Sequence, residues 1–385
     1  MHGLMGLALL APTLPLVRGH GAVVNPPPRQ AVDKDLLPWS GKVPRSFPNV
    51  ESRTGWCPVP GSADGKPSGQ NGQACFWFSN GCSVGCDACD GSSRGPIPGA
   101  GGGNATNPPT GIGRNKVGPN GVVCNRSNGV QPTMCDPKHR TVNTDAECGG
   151  PEDWYFYSPW RAPGAAPVMD PCGVAGGHRP PSGAFGGIYV NTSHAKLGDF
   201  GSKTLPPAPS GTSWKAGSVV EVSWSIEANH AGGYQYRLAP KTAEPPTEAL
   251  FQRLPLAFVG KQGIRWGGGP KYGGTELFFN ATYVTTGTWP EGSAWAQNPI
   301  PLVSGDDGLP DFPGTRGKPC FPPKCEDVPR CSHHGDASQG SFEIVDFLRI
   351  PPTLPAGEYV LGWRWDCEQS NQTWQSCSDV TVTSK

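Results

Sequence analysis

The stretch Ser218-Val219-Val220-Glu221-Val222-Ser223-Trp224-Ser225-Ile226 decides how this chain is read. Val220, Val222, Trp224 and Ile226 alternate with Glu221, Ser223 and Ser225, the period of two expected of a half-buried strand. Tyr234 to Leu238 (YQYRL) alternates again. Ser341 to Arg349 (SFEIVDFLR), Glu358 to Trp365 (EYVLGWRW) and Ser378 to Thr383 (SDVTVT) extend the series, with Pro351 to Gly357 (PPTLPAG) as a turn. No helix-period run of useful length and no internal repeat interrupts it. Short strands parted by turn signals predict an all-β protein, an immunoglobulin/fibronectin III-like β-sandwich with long disulfide-stapled loops.

Residues 30–180 are of another kind. They are rich in Gly, Pro, Asn and Cys, with one aromatic knot at Cys75-Phe76-Trp77-Phe78. They read as loops held by disulfides within a single elaborated domain, 20–385. The chain has 385 residues, with 31 basic and 31 acidic side chains, so it lacks the basic excess of a nucleic-acid binder. Its 55 Gly and 45 Pro, about a quarter of the residues, would by themselves suggest low complexity. The 13 Trp and 14 Cys point instead to a folded interior.

Leu4 to Val17 is apolar but too short to span a bilayer. Val17 and Gly19 occupy the −3 and −1 positions of a cleavage site, so residues 1–19 read as a signal peptide and His20 as the first mature residue. A secreted, extracellular protein fits the cysteines, all 14 of which follow Gly19 and allow up to seven disulfides. Cys82, Cys86 and Cys89, and Cys320, Cys325 and Cys331, have zinc-like spacing without a matching half, which favours disulfides. Sequons at Asn104, Asn125, Asn191, Asn280 and Asn371 are expected on surface loops. With no second long apolar segment, the mature chain is expected to be soluble, free of membrane and monomeric.

A leader cut after Gly19 gives His20 a free α-amino group. That amine and the ring can chelate one metal, and a second imidazole would complete a planar three-nitrogen site suited to copper. The amine must lose its proton to ligate, and a reference pKa of about 7.7–8.0 makes that easy beside a metal. Among His139, His178, His194, His230, His333 and His334, His230 stands out. It lies in Ala228-Asn229-His230-Ala231-Gly232-Gly233-Tyr234 between two predicted strands, where the glycines suggest an exposed, flat loop tip.

Four stretches together resemble the lytic polysaccharide monooxygenases of the chitin-binding type-4 superfamily, nearest the animal-type branch. They are the leader followed by His20-Gly21 with prolines and Arg29, the run ANHAGGYQYRL around His230, LPAGEYVL at Leu354 to Leu361, and QTWQSCSDV at Gln372 to Val380. Residues 30–180 match only loosely. The resemblance implies a histidine brace of His20 (amine and ring) and His230 (ring) holding copper. It places Trp374 at the axial position, where the family normally has Tyr or Phe. It gives Gln372 the role of hydrogen-bonding the bound oxygen species. It implies oxidative cleavage of glycosidic bonds in crystalline chitin or cellulose, with an external electron donor. Tyr234 and Tyr236 flank His230 and are candidates for stacking on sugar. Two other classes stand beside this reading. One is a non-catalytic polysaccharide- or copper-binding protein on the same fold, favoured by Trp374. The other is a glycoside hydrolase using Asp366 and Glu368 as paired carboxylates.

Overall fold

The computed structural model describes residues 20–33, 73–86, 88–89, 91, 158–177, 189, 191–228, 230–266, 270, 275–300, 342–368 and 370–385. Their strands are β1 (His20–Asn25), β2 (Trp77–Ser79), β3 (Val174–Ala175), β4 (Pro209–Lys215), β5 (Val219–Ala228), β6 (Gly233–Pro240) and β7 (Ala257–Phe258). They continue as β8 (Gln262–Trp266), β9 (Thr275–Phe279), β10 (Tyr283–Val284), β11 (Trp295–Gln297), β12 (Phe342–Arg349), β13 (Gly357–Asp366) and β14 (Thr373–Thr383). Two short α-helices, Gly201–Thr204 and Glu248–Gln252, accompany them. No helix among the described residues is long and apolar enough to cross a membrane.

The strands form two sheets. One has the order β1-β5-β12-β8-β9, with β7 also pairing β12. The other has the order β10-β11-β6-β13-β14-β2-β3, with β4 beside β14. Every pairing is antiparallel except β4 with β14. This is the immunoglobulin-like two-sheet sandwich that the alternating stretches predict. The inward positions of β5 (Val222, Trp224, Ile226), β6 (Tyr234, Tyr236, Leu238) and β13 (Leu361, Trp363, Trp365) meet in one buried core. Burying a large apolar side chain contributes roughly 1.5–3 kcal/mol, so these rings are the main adhesive between the sheets.

Two expectations change in the disulfide-rich half. The aromatic knot is not loop: Trp77–Ser79 is a strand joining β14 to β3. Trp77 and Phe78 are both fully buried, Phe78 in the main core against Trp374 and Trp77 in a second cluster against Tyr189. Cys82 is bonded to Cys89, Cys172 to Cys377, and Cys75 and Cys86 are also in disulfides, so the zinc alternative for the Cys82–Cys89 cluster falls. Full pairing of all 14 cysteines also falls, because Cys367 is free and buried. Cys320, Cys325 and Cys331 lie outside the described residues, as do Asn104, Asn125 and the leader.

The segment after β1 is fastened to β14. Arg29 donates from Nε and Nη2 to Asp379, both at 2.7 Å. Gln30 donates to Cys172 O and accepts from Cys377 N at 3.1 Å. Ser376 Oγ accepts from Val23 N at 3.3 Å, and Ser378 Oγ donates to Pro26 O at 3.0 Å. The strand that begins at His20 is thereby tied to the strand that carries Trp374.

Candidate functional site

Backbone pairing alone brings the two histidine segments together. β1 runs antiparallel to β5 with His20 opposite Ala228, two residues before His230, and the register shifts between His20 and Gly21. The side chain of His20 lies outside the described residues. His230 heads the connection into β6, and its carbonyl accepts from Glu368 N at 3.0 Å. Asn298 N donates to Gly232 O at 2.9 Å. Ala231 sits at φ 52°, in the left-handed region that a residue with a Cβ seldom adopts.

This connection is packed, not an exposed tip. His230 is only 1% accessible. The glycines serve close approach: a Cβ on Gly232, itself at φ +74°, would stand 2.0 Å from Asp366 O. One on Gly233 would stand 2.4 Å from the Trp160 ring. The expectation of a flat exposed imidazole is corrected accordingly, because β13 and the Trp160 segment close over the loop.

Trp365 is the residue that sequence reasoning passed over. Its Nε1 donates to Ala231 O at 2.8 Å, and a Cβ on Gly21 would lie 3.2 Å from its Cε3 and Cζ3. One indole therefore touches the backbone next to each histidine. In register it stands between Tyr234 and Trp374. The alternation in EYVLGWRW announced an inward Trp, but only the register shows what it supports.

Trp374 is fully buried and stacked on Phe78, with ring centroids 4.1 Å apart and an interplanar angle of 21°. Trp365 lies 6.4 Å from it. Gln372 is 5% accessible; its carbonyl accepts from Cys367 N at 3.2 Å and its Oε1 from Ser370 Oγ at 3.3 Å. Both residues belong to the β13–β14 turn and the strand leaving it, adjoining Glu368, which holds the His230 carbonyl.

Tyr234 and Tyr236 do not form a sugar platform. Residues two apart on a strand share a face, and here that face is the core: both are 0% accessible. Asn371, expected on a surface loop, is 4% accessible and its carbonyl accepts from Cys82 N. Asn191 and Asn280 are exposed as expected. Among the described residues the exposed aromatics are Trp289, at 49%, and Tyr283, at 38%.

The hydrolase pair is also spoken for. Asp366 is fully buried, paired with Arg364 at 2.6 Å and accepting from Gly164 N at 2.7 Å. It anchors the Trp160 segment to β13. Glu368 is 2% accessible. Burial pushes the Cys367 thiol well up, so this neighbour of the site is a thiol and not a nucleophilic thiolate.

Among the described residues no three His, Cys, Asp or Glu side chains converge on one point. A metal here would rest on His20 and His230, with the amine as third donor. The strand register fits that donor set, since it sets both histidine backbones at the same end of the sandwich.

No family model matches this chain, and no curated protein does. Some solved structures show a distant likeness. A family AA15 lytic polysaccharide monooxygenase from Thermobia domestica in the Cu(I) state aligns at 13% identity over 44% of this chain and 62% of its own, with a TM-score of 0.22. A chitin-binding domain from Burkholderia pseudomallei aligns at 12% identity over 45% and 56%, with a TM-score of 0.22. A family AA10 lytic polysaccharide monooxygenase from Streptomyces lividans aligns at 12% identity over 46% and 60%, with a TM-score of 0.21. This chain thus spans less than two thirds of each. Likeness at this level leaves the function to the chain's own geometry.

Proposed function

We propose that this chain is a secreted copper-dependent monooxygenase that oxidatively cleaves glycosidic bonds in insoluble polysaccharide, chitin or cellulose. The observation that carries the reading is the β1–β5 register, with His20 opposite Ala228 and His230 two residues on. Removal of residues 1–19 makes the His20 amine. That amine and ring, with the His230 ring, are the nitrogen donors assigned to copper. Copper, when bound, supplies one-electron chemistry that turns dioxygen or peroxide, with an external electron donor, into an oxidant for a sugar C–H bond.

The chain's own residues supply placement. Trp365 steadies the backbone beside both histidines. Trp374, buried and stacked on Phe78, carries no ligating atom and would offer copper held by the histidines an apolar neighbour that keeps water out. Gln372 brings an amide to the same end of the sandwich, where it would serve as a hydrogen-bond donor beside a metal held by the histidines. Trp289 replaces the buried tyrosines as the exposed ring for stacking on sugar.

The test is to load protein beginning at His20 with Cu(II), add ascorbate and chitin or cellulose, and search for oxidised oligosaccharides. Their absence on every glycan, with copper tightly bound, sinks the enzymatic reading. The burial of His230 and the indole at Trp374 favour a second reading, a non-catalytic glycan- or copper-binding protein. Retention on insoluble glycan with no reductant-dependent product supports it.

A further inference from the structure

The outer face of the first sheet carries two phenyl rings that the core between the sheets does not use. In β9, Leu277 and Phe279 pack against the core, so Phe278 between them points the other way. In β12, Ile344 and Leu348 are core residues, and Phe347 falls on the outer face with Phe278. The two rings lie 6.1 Å apart at an interplanar angle of 35°. Gly263 stands opposite Phe278 in the β8–β9 register, and a Cβ there would come within 2.6 Å of Phe278 Cε1. The glycine thus leaves room for the phenyl ring to lie over the sheet. Both rings stay partly exposed. β9 also ends the strand order, and among the described residues its strand partner is β8 alone. Apolar rings beside an open strand edge invite pairing with another chain unless something covers them.

Two residues beyond Phe278 stands a group that can carry a cover. Asn280-Ala281-Thr282 is an N-glycosylation acceptor sequence, and Asn280 is exposed. The period of two sets Asn280 on the side of Phe278, at the end of β9. Thr282 O accepts from Gln297 N at 2.9 Å, so the connection to β10 is held through the backbone. The other two acceptors among the described residues are built differently. Asn191 is exposed, but its Oδ1 accepts from Leu197 N at 2.8 Å, and the ring two residues before it, Tyr189, is buried against Trp77. Asn371 is itself 4% accessible, which leaves no room for a sugar. Of the three, Asn280 alone joins an exposed amide to a partly exposed ring.

We propose that Asn280 carries an N-linked glycan whose first N-acetylglucosamine rests on Phe278 and Phe347 and covers the outer face of the sheet at the β9 edge. The C–H face of a pyranose is apolar and matches a phenyl face, while its hydroxyls stay in water. The donor is a lipid-pyrophosphate-linked oligosaccharide of the secretory compartment. Asn280 Nδ2 forms the bond to C1 of the sugar and releases one proton. The bond from C1 to the pyrophosphate oxygen breaks, and the pyrophosphate leaves with the bonding electron pair. Nothing is oxidised or reduced. The site rests on the secretion in the proposed function and on none of its copper chemistry.

The full chain, secreted from a eukaryotic host that N-glycosylates, is mapped by mass spectrometry of its glycopeptides before and after peptide N-glycosidase F. Asn280 should be occupied. The seat is read by melting temperature after an endoglycosidase has trimmed each glycan to one N-acetylglucosamine. Asn280→Gln and Thr282→Ala each remove the sugar, and each should lower the melting temperature by about 2–4 °C, as the loss of one ring contact does in a domain of this size. In Phe278→Leu protein the same two substitutions should lower it by less than half as much. Asn280 unmodified in secreted protein that begins at His20, or equal losses with Phe278 and with Phe278→Leu, overturns the proposal. A glycan seated at Asn280, with no oxidised sugar in the copper-loaded assay, refutes the proposed function and leaves this site standing.

Discussion

Asp379 fastens the segment that carries the N-terminal strand, and the two halves of its ion pair are not equivalent. Arg29 meets it bidentately at 2.7 Å, with side-chain accessibilities of 6% and 3%. Asp379 also accepts from Ala208 N at 2.9 Å and pairs with Lys241 at 3.1 Å. In Asp379→Asn the buried guanidinium loses its anion, and an orphaned buried charge costs about 3–5 kcal/mol. In Arg29→Met the carboxylate keeps Lys241 and the Ala208 amide, so the loss is closer to that of a hydrogen bond to a charged group, about 1.5–3 kcal/mol. Set against a typical total of about 5–15 kcal/mol, Asp379→Asn should remove about a fifth or more of the stability. Urea unfolding with disulfides intact measures both, at unchanged slope. Burial alone would raise the Asp379 carboxyl, but Arg29 overrides it and holds the group below its ordinary value. A folded value below the unfolded one stabilises above about pH 4 and is lost as pH falls through the folded value. The gap between parent and Asp379→Asn should therefore close only in strong acid. Equal losses for the two variants, a larger loss for Arg29→Met, or losses under about 1 kcal/mol would refute this reasoning.

Burial shifts Asp346 the other way, from 3.8 to about 7. Its ionisation in the fold should lower stability as pH rises from about 4 to about 7, by about 4 kcal/mol in all. Asp346→Asn lacks that slope and should overtake the parent by pH 8 in urea midpoints; parallel curves from pH 4 to pH 8 would contradict it. Gly232 and Gly211 share a positive φ, +74° and +70°, but an added Cβ meets Asp366 O at 2.0 Å in the first and nothing within 4 Å in the second. Gly211→Ala should cost about 1–2 kcal/mol from backbone strain alone, and Gly232→Ala at least twice as much by thermal or urea unfolding. Trp365→Phe removes the donor to Ala231 O, a loss of about 1–3 kcal/mol. Amide hydrogen exchange should quicken at Gly232 and Gly233 before the distant end of β6; uniform quickening would assign the effect to global stability.

The strands were legible because alternation is local. Val222, Trp224 and Ile226, and again Trp363 and Trp365, announced an inward face that the sandwich then buries. Tyr234 and Tyr236 carried the same signal, yet nearness in sequence to His230 suggested a surface role that strand geometry overrides. The glycines after His230 are ambiguous in sequence: they suit an exposed turn and a close approach equally, and only the Asp366 carbonyl and the Trp160 ring decide for the second. What Trp365 supports could not be found from sequence, because its contacts with Gly21 and Ala231 join three segments far apart in the chain. The free Cys367 was hidden by an even cysteine count, which permits full pairing but does not require it.

The central claim is that His20 contributes its own amine. The direct measurement is Cu(II) electron paramagnetic resonance, with a binding isotherm, on protein beginning at His20 and on protein retaining Gly19. Nitrogen splitting from three donors is expected in the first. Loss of that pattern and affinity at least a hundredfold weaker are expected in the second. The same spectrum and affinity in both would show that the amine is not a ligand, and would contradict the histidine brace.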